Sequence, residues 1–476
     1  MQNRRMPLDV GIIHFAGIGG IGMSGIAELL HRQGYRVQGS DMAKSANTER
    51  LEASGIPVFI GQTAEYLDGI AVVVRSTAVK DDNLEVIAAR KRGIPVIRRA
   101  EMLAELMHGK ICLAIAGTHG KTTTTSMMAA LFDATDRDPT VINGGIITRY
   151  GSNTRFGQGE WLIAESDESD GTFLELPAIY GIITNVDREH LEYYGSFEKL
   201  RDAYRRFMQQ IPFFGAVVAC QDDPELSALL PQISDRRIFT YSIDAQSDVQ
   251  AFSISKNSDG SSKISVRFSP RMPGGARILS DIKLGIPGRH NILNALSTIA
   301  LGWIVGLEEN AIRAGLENFE NVKRRFTKTG ETNGVLVIDD YGHHPTEIQA
   351  TLATAREVAN TRNGRIIAVI QPHRYSRVQA LFHEFCTCVN QADIVFVSEI
   401  YSAGEAPLPG ISAQALVDGM KKAGHTNAHL LSDHNNLAAE IVKLANPQDM
   451  VVFLGAGSVT QWAYALPQQL ALQQAS

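Results

Sequence analysis

Cysteine is scarce in this chain of 476 residues, which contains only four: Cys112, Cys220, Cys386 and Cys388. No two of them form a Cys-x-x-Cys pair, and two lie in apolar runs of strand length. A disulfide framework or a cysteine metal site is therefore not expected. A reducing compartment, the cytoplasm, fits this cysteine usage best.

The chain also lacks an excess of positive charge and an uninterrupted apolar run. Its formal net charge is −6, which gives no indication of a nucleic-acid or membrane partner. A largely apolar stretch, residues 10–30, contains six glycines in 21 residues and is interrupted by His14 and Glu28. That pattern is typical of a strand, a glycine turn and a helix rather than of a signal peptide or a membrane span.

Short apolar runs that alternate with helical patterns are what the sequence does contain. The runs of strand length are residues 10–15, 71–74, 112–116, 161–164, 181–184, 335–338, 365–370, 393–397 and 450–454. Their alternation with helices predicts an α/β fold with mainly parallel sheets. At about 150 residues per domain, the length predicts three domains. We place them at residues 1–108, 109–320 and 321–476.

A glycine-bracketed turn follows the third apolar run. Gly117 and Gly120 enclose two residues, and Lys121-Thr122 then opens a helical pattern. Backbone N–H groups and the positive end of the helix dipole favour phosphate at such a turn. Lys121 is expected to reach the β- and γ-phosphates, and the Thr122 hydroxyl to ligate Mg²⁺. Because the usual motif has four residues between its glycines, this is a variant phosphate loop.

Four carboxylates fall within residues 165–170, directly after the apolar run 161–164. This position is the carboxyl edge of the predicted sheet, where ligands bind. Mg²⁺ prefers oxygen ligands of this kind. Glu165, taken as the first residue past the strand, is predicted to bind the metal. His190 follows the next strand and is either a further metal ligand or a structural histidine.

Residues 17–22 fit the pattern Gly-x-Gly-x-x-Gly between a strand and a helix, and Asp41 lies about 20 residues further on. This context predicts a diphosphate at the helix N-terminus, with Asp41 near a ribose hydroxyl. NAD and a UDP-sugar both satisfy it, and a turn that binds nothing is the remaining alternative.

Three apolar runs in the last third of the chain end in polar groups. The first leads to Asp340 and His343, and the third leads to a glycine turn. The second leads to His373, Arg374 and Arg377. Because the ends of parallel strands meet at one edge, a single crevice is expected. The two arginines are three residues apart at a helix start, so they are predicted to bind a carboxylate.

Together these motifs resemble the Mur ligases over essentially the whole chain. The resemblance rests on residues 14–25, 116–124, 165–170, 184–185, 190, 288–295, 324–326, 339–345 and 371–377. It implies three domains on mainly parallel sheets, the first and third Rossmann-like and the central one like a P-loop ATPase. It also implies an ATP-dependent ligase that joins the carboxylate of UDP-N-acetylmuramate to L-alanine through an acyl phosphate, with two Mg²⁺ ions.

The resemblance further implies which residues bind each substrate. The UDP-sugar would contact Gly19, Gly20, Gly22, Met23, Ser40, Asp41, Ser76 and Thr77. ATP would contact Gly117, Thr118, His119, Gly120, Lys121, Thr122, Thr123, His290, Asn291, Asn294, Arg325 and Asp340. Metal would be bound by Thr122, Glu165 and His190, and the amino acid by His343, His373, Arg374 and Arg377. The catalytic residues would be Lys121, Glu165, His190 and His343, the last as a candidate general base.

Three alternatives stay open at this point. A related ligase would add a peptide or another amino acid to the same sugar. A nicotinamide-dependent dehydrogenase would explain the first glycine motif but not the phosphate loop. A non-catalytic nucleotide sensor would bind ATP without forming an amide. For the ligase, a cytoplasmic monomer or homodimer without a nucleic-acid or membrane partner is expected.

Overall fold

The computed structural model describes residues 6–7, 9–76, 78–256 and 261–473. Within these residues the chain forms three sheets of five, ten and six strands, with helices in the connections. The described chain divides into two compact units. The first unit holds nearly all of the first two sheets, and the second holds the third sheet together with Lys256, residues 261–262 and the segment Ile286–Asn291. These parallel-rich sheets confirm the predicted α/β class.

The first sheet has the strand order β3-β2-β1-β4-β5 with every pair parallel. Its strands are β1 (Ile12–Ala16), β2 (Arg36–Asp41), β3 (Val58–Ile60), β4 (Ile70–Arg75) and β5 (Val96–Arg98). Its helices are α1 (Ile21–Arg32), α2 (Ala46–Ala53), α3 (Leu84–Lys91) and α4 (Arg99–Met107). The strand order reverses at β1, so the turn from β1 to α1 lies where ligands bind in doubly wound sheets.

The second sheet has the order β15-β14-β13-β12-β11-β10-β6-β9-β7-β8. Its strands are β6 (Ile111–Ala116), β7 (Thr140–Ile147), β8 (Ser152–Arg155), β9 (Trp161–Glu165), β10 (Tyr180–Ile183), β11 (Ala216–Cys220), β12 (Ile238–Ser242), β13 (Val249–Lys256), β14 (Ser262–Phe268) and β15 (Arg277–Leu284). Its helices are α5 (Lys121–Asp133), α6 (Leu191–Tyr194), α7 (Phe197–Gln210), α8 (Pro224–Leu229), α9 (Arg289–Ile304) and α10 (Glu309–Glu317). Because β6 pairs in parallel with both β9 and β10, the carboxyl ends of these three strands meet at one edge.

The third sheet has the order β16-β17-β21-β18-β19-β20, and β16 runs antiparallel to β17. Its strands are β16 (Thr327–Thr332), β17 (Val335–Asp340), β18 (Ile366–Ile370), β19 (Ile394–Ser398), β20 (Ala428–Leu431) and β21 (Met450–Leu454). Its helices are α11 (Pro345–Arg362), α12 (Tyr375–Ala380), α13 (Phe382–Thr387), α14 (Ala413–Lys422), α15 (Leu437–Leu444) and α16 (Val459–Gln473). The neighbours β17, β21 and β18 are parallel, so the predicted convergence of three strand ends is confirmed.

All nine predicted strand segments coincide with strands whose bounds differ by at most two residues. One difference concerns the predicted metal site. Glu165 is the last residue of β9 rather than the first residue past it, because it still pairs with Ile115 of β6. The sheet therefore holds the backbone of Glu165 in place.

The absence of a disulfide framework is consistent with the structure. All four cysteines are buried and unbridged, and burial raises the pKa of the Cys112 and Cys388 thiols to about 12. In the part of the chain that the structure describes, no helix combines the length and the apolar character that a membrane span requires.

Candidate active site

A tight loop joins β6 to α5. Gly117 has φ 125° and Gly120 has φ 83°, conformations that residues with side chains rarely adopt. A Cβ atom at Gly117 would lie 2.0 Å from Thr184 Oγ1. Gly120 caps α5 without a side-chain hydrogen bond, and the first helical turn carries no acid. The helix start therefore presents backbone N–H groups and the positive end of its dipole to an anion.

The end of β10 holds this loop in place. Asn185 accepts from the His119 N–H at 2.8 Å and donates to the His119 carbonyl at 3.0 Å. The Thr184 hydroxyl donates to the same carbonyl at 2.6 Å, and His119 Nε2 lies 3.0 Å from Asp187 Oδ2. These contacts fix the loop shape without a ligand. Asn185 was not among the predicted site residues, although it lies at a predicted strand end and in one of the motifs that carry the family resemblance.

Lys121 makes an ion pair inside the site. Its Nζ donates to both carboxylate oxygens of Glu168, at 2.9 and 2.7 Å, and to two carbonyl oxygens of the loop. Burial works against the charged form, but the carboxylates of Glu168, Asp167 and Glu165 raise the pKa of Lys121 above its ordinary value. The ammonium therefore stays charged. Glu168 was visible in the sequence only as one of four adjacent acids.

Thr122 and Glu165 are in contact, as the predicted metal site requires. Thr122 Oγ1 donates to Glu165 Oε1 at 3.1 Å, and the backbone N–H of Gly144 donates to Glu165 Oε2 at 2.7 Å. The third predicted metal ligand, His190, lies beside Glu168 with Nε2 3.8 Å from Oε1. Two of the three predicted ligands are thus brought together.

The oxygen donors at this position fit Mg²⁺. A carboxylate and a hydroxyl are hard ligands, and their separation of 3.1 Å is close to the ligand spacing of an octahedral site with bonds of about 2.1 Å. Mg²⁺ commonly takes only one or two protein ligands and fills its shell with water and phosphate oxygens. Thr122 and Glu165 are therefore the residues that would hold it.

Hydrogen bonds to strand β2 hold the first glycine turn in place. The N–H of Gly19 donates to Asp41 Oδ2 at 2.8 Å, and the N–H groups of Gly17 and Ile18 donate to the Ser40 carbonyl at 2.9 Å each. Helix α1 begins after Gly20 with no side-chain cap and no acid in its first turn. This turn therefore also offers a helix N-terminus to an anion.

Two of the predicted UDP-sugar contacts have interior side chains. Ser40 is fully buried and its hydroxyl donates to Glu85 at 2.7 Å, while Met23 packs in the apolar core. Since β2 and α1 turn these side chains inward, only their backbone groups are placed for a ligand. Ser76 Oγ accepts a backbone N–H two residues on, and Thr77 lies outside the described residues.

Aromatic rings and an arginine gather at the ends of β17, β18 and β19. The ring centroids of His343 and His373 are 5.7 Å apart, and Tyr341 lies 5.2 Å from His343. Tyr401 stacks on His373 with a centroid distance of 5.4 Å, and Arg377 Nη1 lies 3.4 Å from His373 Nδ1. Three of the predicted amino-acid contacts therefore lie together. Tyr401 was missed because nothing in the sequence singles out the residues after β19.

The remaining predicted amino-acid contact, Arg374, directly precedes α12. It has φ 67°, and its N–H donates to the Tyr401 carbonyl at 2.9 Å. Its charge is close enough to contribute to lowering the pKa of His373. Arg374 is therefore held beside the ring cluster by its own backbone.

The two histidines of this cluster differ in chemistry. Burial, followed by the charges of His343 and Arg377, lowers the pKa of His373 to about 4, so His373 is neutral at physiological pH. His343 Nδ1 lies beside two acceptors, the Tyr341 carbonyl at 3.1 Å and Glu347 Oε2 at 3.4 Å. When the ring is neutral, these acceptors favour the tautomer with the proton on Nδ1, which leaves the lone pair on Nε2.

Asp340 is bound within its own unit. Its carboxylate accepts from the N–H groups of Phe326 and Gly342, both at 2.8 Å, and from the Thr351 hydroxyl at 3.1 Å. It is almost fully buried, and burial raises its pKa. Asp340 therefore fixes the turn before β16, and a role in binding ATP stays a prediction.

The other predicted ATP contacts are divided between the two units. In the second unit, Arg325 lies over the Tyr341 ring at 5.3 Å, and burial together with the charge of Arg325 lowers the pKa of His290 to about 4. Asn291 donates to the Pro287 carbonyl at 2.6 Å. In the first unit, the Asn294 side chain lies against Gly120.

The low pKa of His373 predicts a pH dependence of stability. Its folded value of about 4 lies below the unfolded value of about 6.5, so the unfolded chain takes up a proton over this interval and the folded chain does not. The stabilisation is complete above pH 6.5 and is lost as the pH falls towards 4. As the pH falls, the unfolding free energy of the wild type should therefore decrease by about 1–3 kcal/mol more than that of His373→Gln, which lacks the titrating ring.

Urea titrations at pH 4.5 and 7.5 measure this difference. His383→Gln, which replaces an exposed histidine of helix α13, should behave like the wild type. An unchanged pH dependence in His373→Gln would show that His373 titrates normally.

Three family models match the chain in the order of its sheets. Their descriptions are Mur ligase family, catalytic domain, for residues 12–111; Mur ligase middle domain, for residues 115–302; and Mur ligase, glutamate ligase domain, for residues 324–457. Together they match most of the chain.

Two full-length relatives carry the same name. The UDP-N-acetylmuramate–L-alanine ligases of Bradyrhizobium sp. (strain ORS 278) and Rhodospirillum rubrum are 55% and 52% identical to this chain, over 98% of it and 99% and 96% of their own lengths. The crystal structure of UDP-N-acetylmuramate-alanine ligase from Thermotoga maritima has a TM-score of 0.80 at 30% identity, covering 98% of this chain and 100% of that one. The chain therefore belongs to the Mur ligase family of ATP-dependent ligases.

Proposed function

We propose that the chain joins the carboxylate of UDP-N-acetylmuramate to L-alanine at the expense of ATP, in the cytoplasmic assembly of peptidoglycan precursors. The observation that carries this proposal is the group formed by Lys121, Thr122 and Glu165 at the start of α5, in a chain 55% identical to relatives of that name. In this proposal, residues 1–108 bind the nucleotide sugar, residues 109–320 bind MgATP and residues 321–476 bind the amino acid.

The first step transfers a phosphoryl group. The muramate carboxylate attacks the γ-phosphorus of ATP, which gives an acyl phosphate and ADP. Such transfers depend on positioning and charge neutralisation rather than on a protein nucleophile. The loop N–H groups and Lys121 bind the phosphate oxygens, and Lys121 exchanges Glu168 for phosphate to do so. A Mg²⁺ ion held by Thr122 and Glu165 would neutralise further phosphate charge.

The second step forms the amide. The amine of alanine attacks the acyl carbon, and the tetrahedral intermediate expels phosphate. The amine must be neutral to attack, and His343 Nε2 carries the lone pair that can accept its proton. Arg374 and Arg377 bind the carboxylate of alanine. The neutral ring of His373 adds no positive charge that would repel the ammonium form of the incoming substrate.

Release of ADP tests this reaction directly. With UDP-N-acetylmuramate, ATP and Mg²⁺ present, we expect sustained ADP release and an amide product only when L-alanine is added. Chelation of Mg²⁺ should stop the reaction, and restoring the ion should recover it. Absence of ADP release with every substrate combination would refute the proposal.

The acceptor is what distinguishes the alternative ligases. A murein peptide ligase from Psychrobacter arcticus shares the fold, with a TM-score of 0.69 at 24% identity, so the fold alone does not select an amino acid over a peptide. A panel of amino acids and a tripeptide in the same assay decides between them. If the tripeptide is ligated faster than L-alanine, the acceptor is a peptide and not the amino acid proposed above. The dehydrogenase alternative is not proposed, because the glycine turn belongs to a family of ligases.

A further inference from the structure

Arg99 lies across the last glycine of the first motif. A Cβ atom at Gly22 would lie 2.3 Å from Arg99 Nη1 and 3.3 Å from Arg99 Cδ. Gly22 does not have a positive φ, so its backbone does not require glycine. In dinucleotide-binding turns the third glycine lets the helix pack closely on the strand. Here the missing side chain leaves room for a guanidinium group beside the start of α1.

The same guanidinium reaches the acidic segment of the second sheet. Arg99 Nη2 donates to Asp167 Oδ2 at 3.0 Å. The adjacent Glu168 pairs with Lys121. Arg99 therefore connects the glycine turn to the segment that positions the phosphate-loop lysine.

We propose that Arg99 binds the diphosphate of the nucleotide sugar through Nη1 while Nη2 holds Asp167, so that the nucleotide sugar and MgATP strengthen each other's binding. This inference rests on the function proposed above. A guanidinium has five donors in a rigid fork and can serve two anionic acceptors at once, whereas an ammonium is a point charge.

The coupling follows from the segment that Asp167 belongs to. Glu165 and Glu168 of this segment contact Thr122 and Lys121, the residues that meet MgATP. A diphosphate that immobilises Arg99 also immobilises Asp167. MgATP then binds to a segment that is already ordered, so its binding costs less conformational entropy. By linkage, each ligand must tighten the other by the same factor, which we expect to be about fivefold.

Calorimetry measures both parts of this proposal. The dissociation constant of UDP-N-acetylmuramate is determined with and without Mg²⁺ and a non-hydrolysable ATP analogue, and the ratio of the two values is the coupling factor. In Arg99→Ala we expect binding to weaken about tenfold or more, as for a lost charge-assisted hydrogen bond, and the factor to fall to about one. Arg92→Ala removes an exposed guanidinium that follows α3 and pairs with Asp68, and should match the wild type.

Three further variants test the geometry of the Arg99 guanidinium, its pairing with Asp167 and the space beside Gly22. Arg99→Lys keeps the charge but not the fork, so it should retain most of the affinity and lose the coupling. Asp167→Asn should leave the affinity for the nucleotide sugar nearly unchanged and also lose the coupling. Gly22→Ala keeps the arginine but fills its place, so it should weaken binding as Arg99→Ala does.

Two results would overturn the proposal. Wild-type affinity in Arg99→Ala would show that the guanidinium does not touch the diphosphate. A wild-type coupling factor in both Arg99→Ala and Asp167→Asn would show that the bridge does not link the ligands. If the wild type itself does not bind UDP-N-acetylmuramate, the proposed function fails instead.

Discussion

Replacing Lys121 by alanine is expected to lower kcat by about a hundred- to a thousand-fold, the effect of removing one donor that meets charge developing in a transition state. Lys121 is the charged side chain that opens α5, and three carboxylates keep it protonated. In the proposed site, the phosphate oxygens would then keep only the loop N–H groups and the metal ion as partners. Steady-state ADP release measures the loss. Lys283→Ala, which removes an exposed lysine of the same sheet, should keep full activity.

A structural role for Lys121 must be separated from its catalytic one. Its removal takes from the buried Glu168 carboxylate the cation that is hydrogen-bonded to it, which is expected to cost about 3 kcal/mol of stability. The double variant Lys121→Ala/Glu168→Gln removes that charge as well, and should recover much of the stability. It should not recover turnover. Recovery of near-normal turnover in the double variant would mean that Lys121 acts only through folding.

Gly117→Ala is expected to reduce the free energy of unfolding by about 3–5 kcal/mol and to abolish ligation. Its φ of 125° is strained for alanine, which costs about 1–3 kcal/mol. Its Cβ atom would also lie 2.0 Å from Thr184 Oγ1 and 2.8 Å from the Thr184 backbone nitrogen, so the end of β10 must shift. Urea unfolding and ADP release measure the two losses.

Gly151→Ala is the matched control for this prediction. Gly151 also has a positive φ, 62°, but an added Cβ atom would meet no atom within 4 Å. It should therefore lose only about 1 kcal/mol through backbone strain and keep its activity. Equal stability of the Gly117 and Gly151 variants would contradict the close packing of the phosphate loop against β10.

The sequence predicted the elements whose residues are uniformly apolar. Strand β21, Met450–Leu454, is buried along its whole length, and its predicted bounds are those observed. Strand β2, Arg36–Asp41, was not predicted, although it lies between β1 and β3 in the first sheet. It contains arginine, glutamine, glycine and aspartate, and becomes a strand through pairing with β1 rather than through its own pattern.

The site was predictable from the sequence only where its residues are neighbours in the chain. Gly117–Thr122 is a continuous motif, so the loop and the helix that begins at Lys121 were expected and are confirmed. Glu168, which pairs with Lys121, is 47 residues further along the chain. The sequence shows four acids within residues 165–170, but it does not indicate that Glu168 contacts the lysine while Glu165 contacts Thr122. That division depends on the path of the backbone after β9, which no short pattern encodes.

The binding of nucleotide is tested most directly by a crystal structure with Mg²⁺, UDP-N-acetylmuramate and a non-hydrolysable ATP analogue. We expect the γ-phosphate within hydrogen-bond distance of Lys121 Nζ, and a metal ion about 2.1 Å from oxygens of Thr122 and Glu165. Nucleotide bound only at the turn of residues 17–22, with Lys121 still paired to Glu168, would contradict the assignment of the phosphate loop.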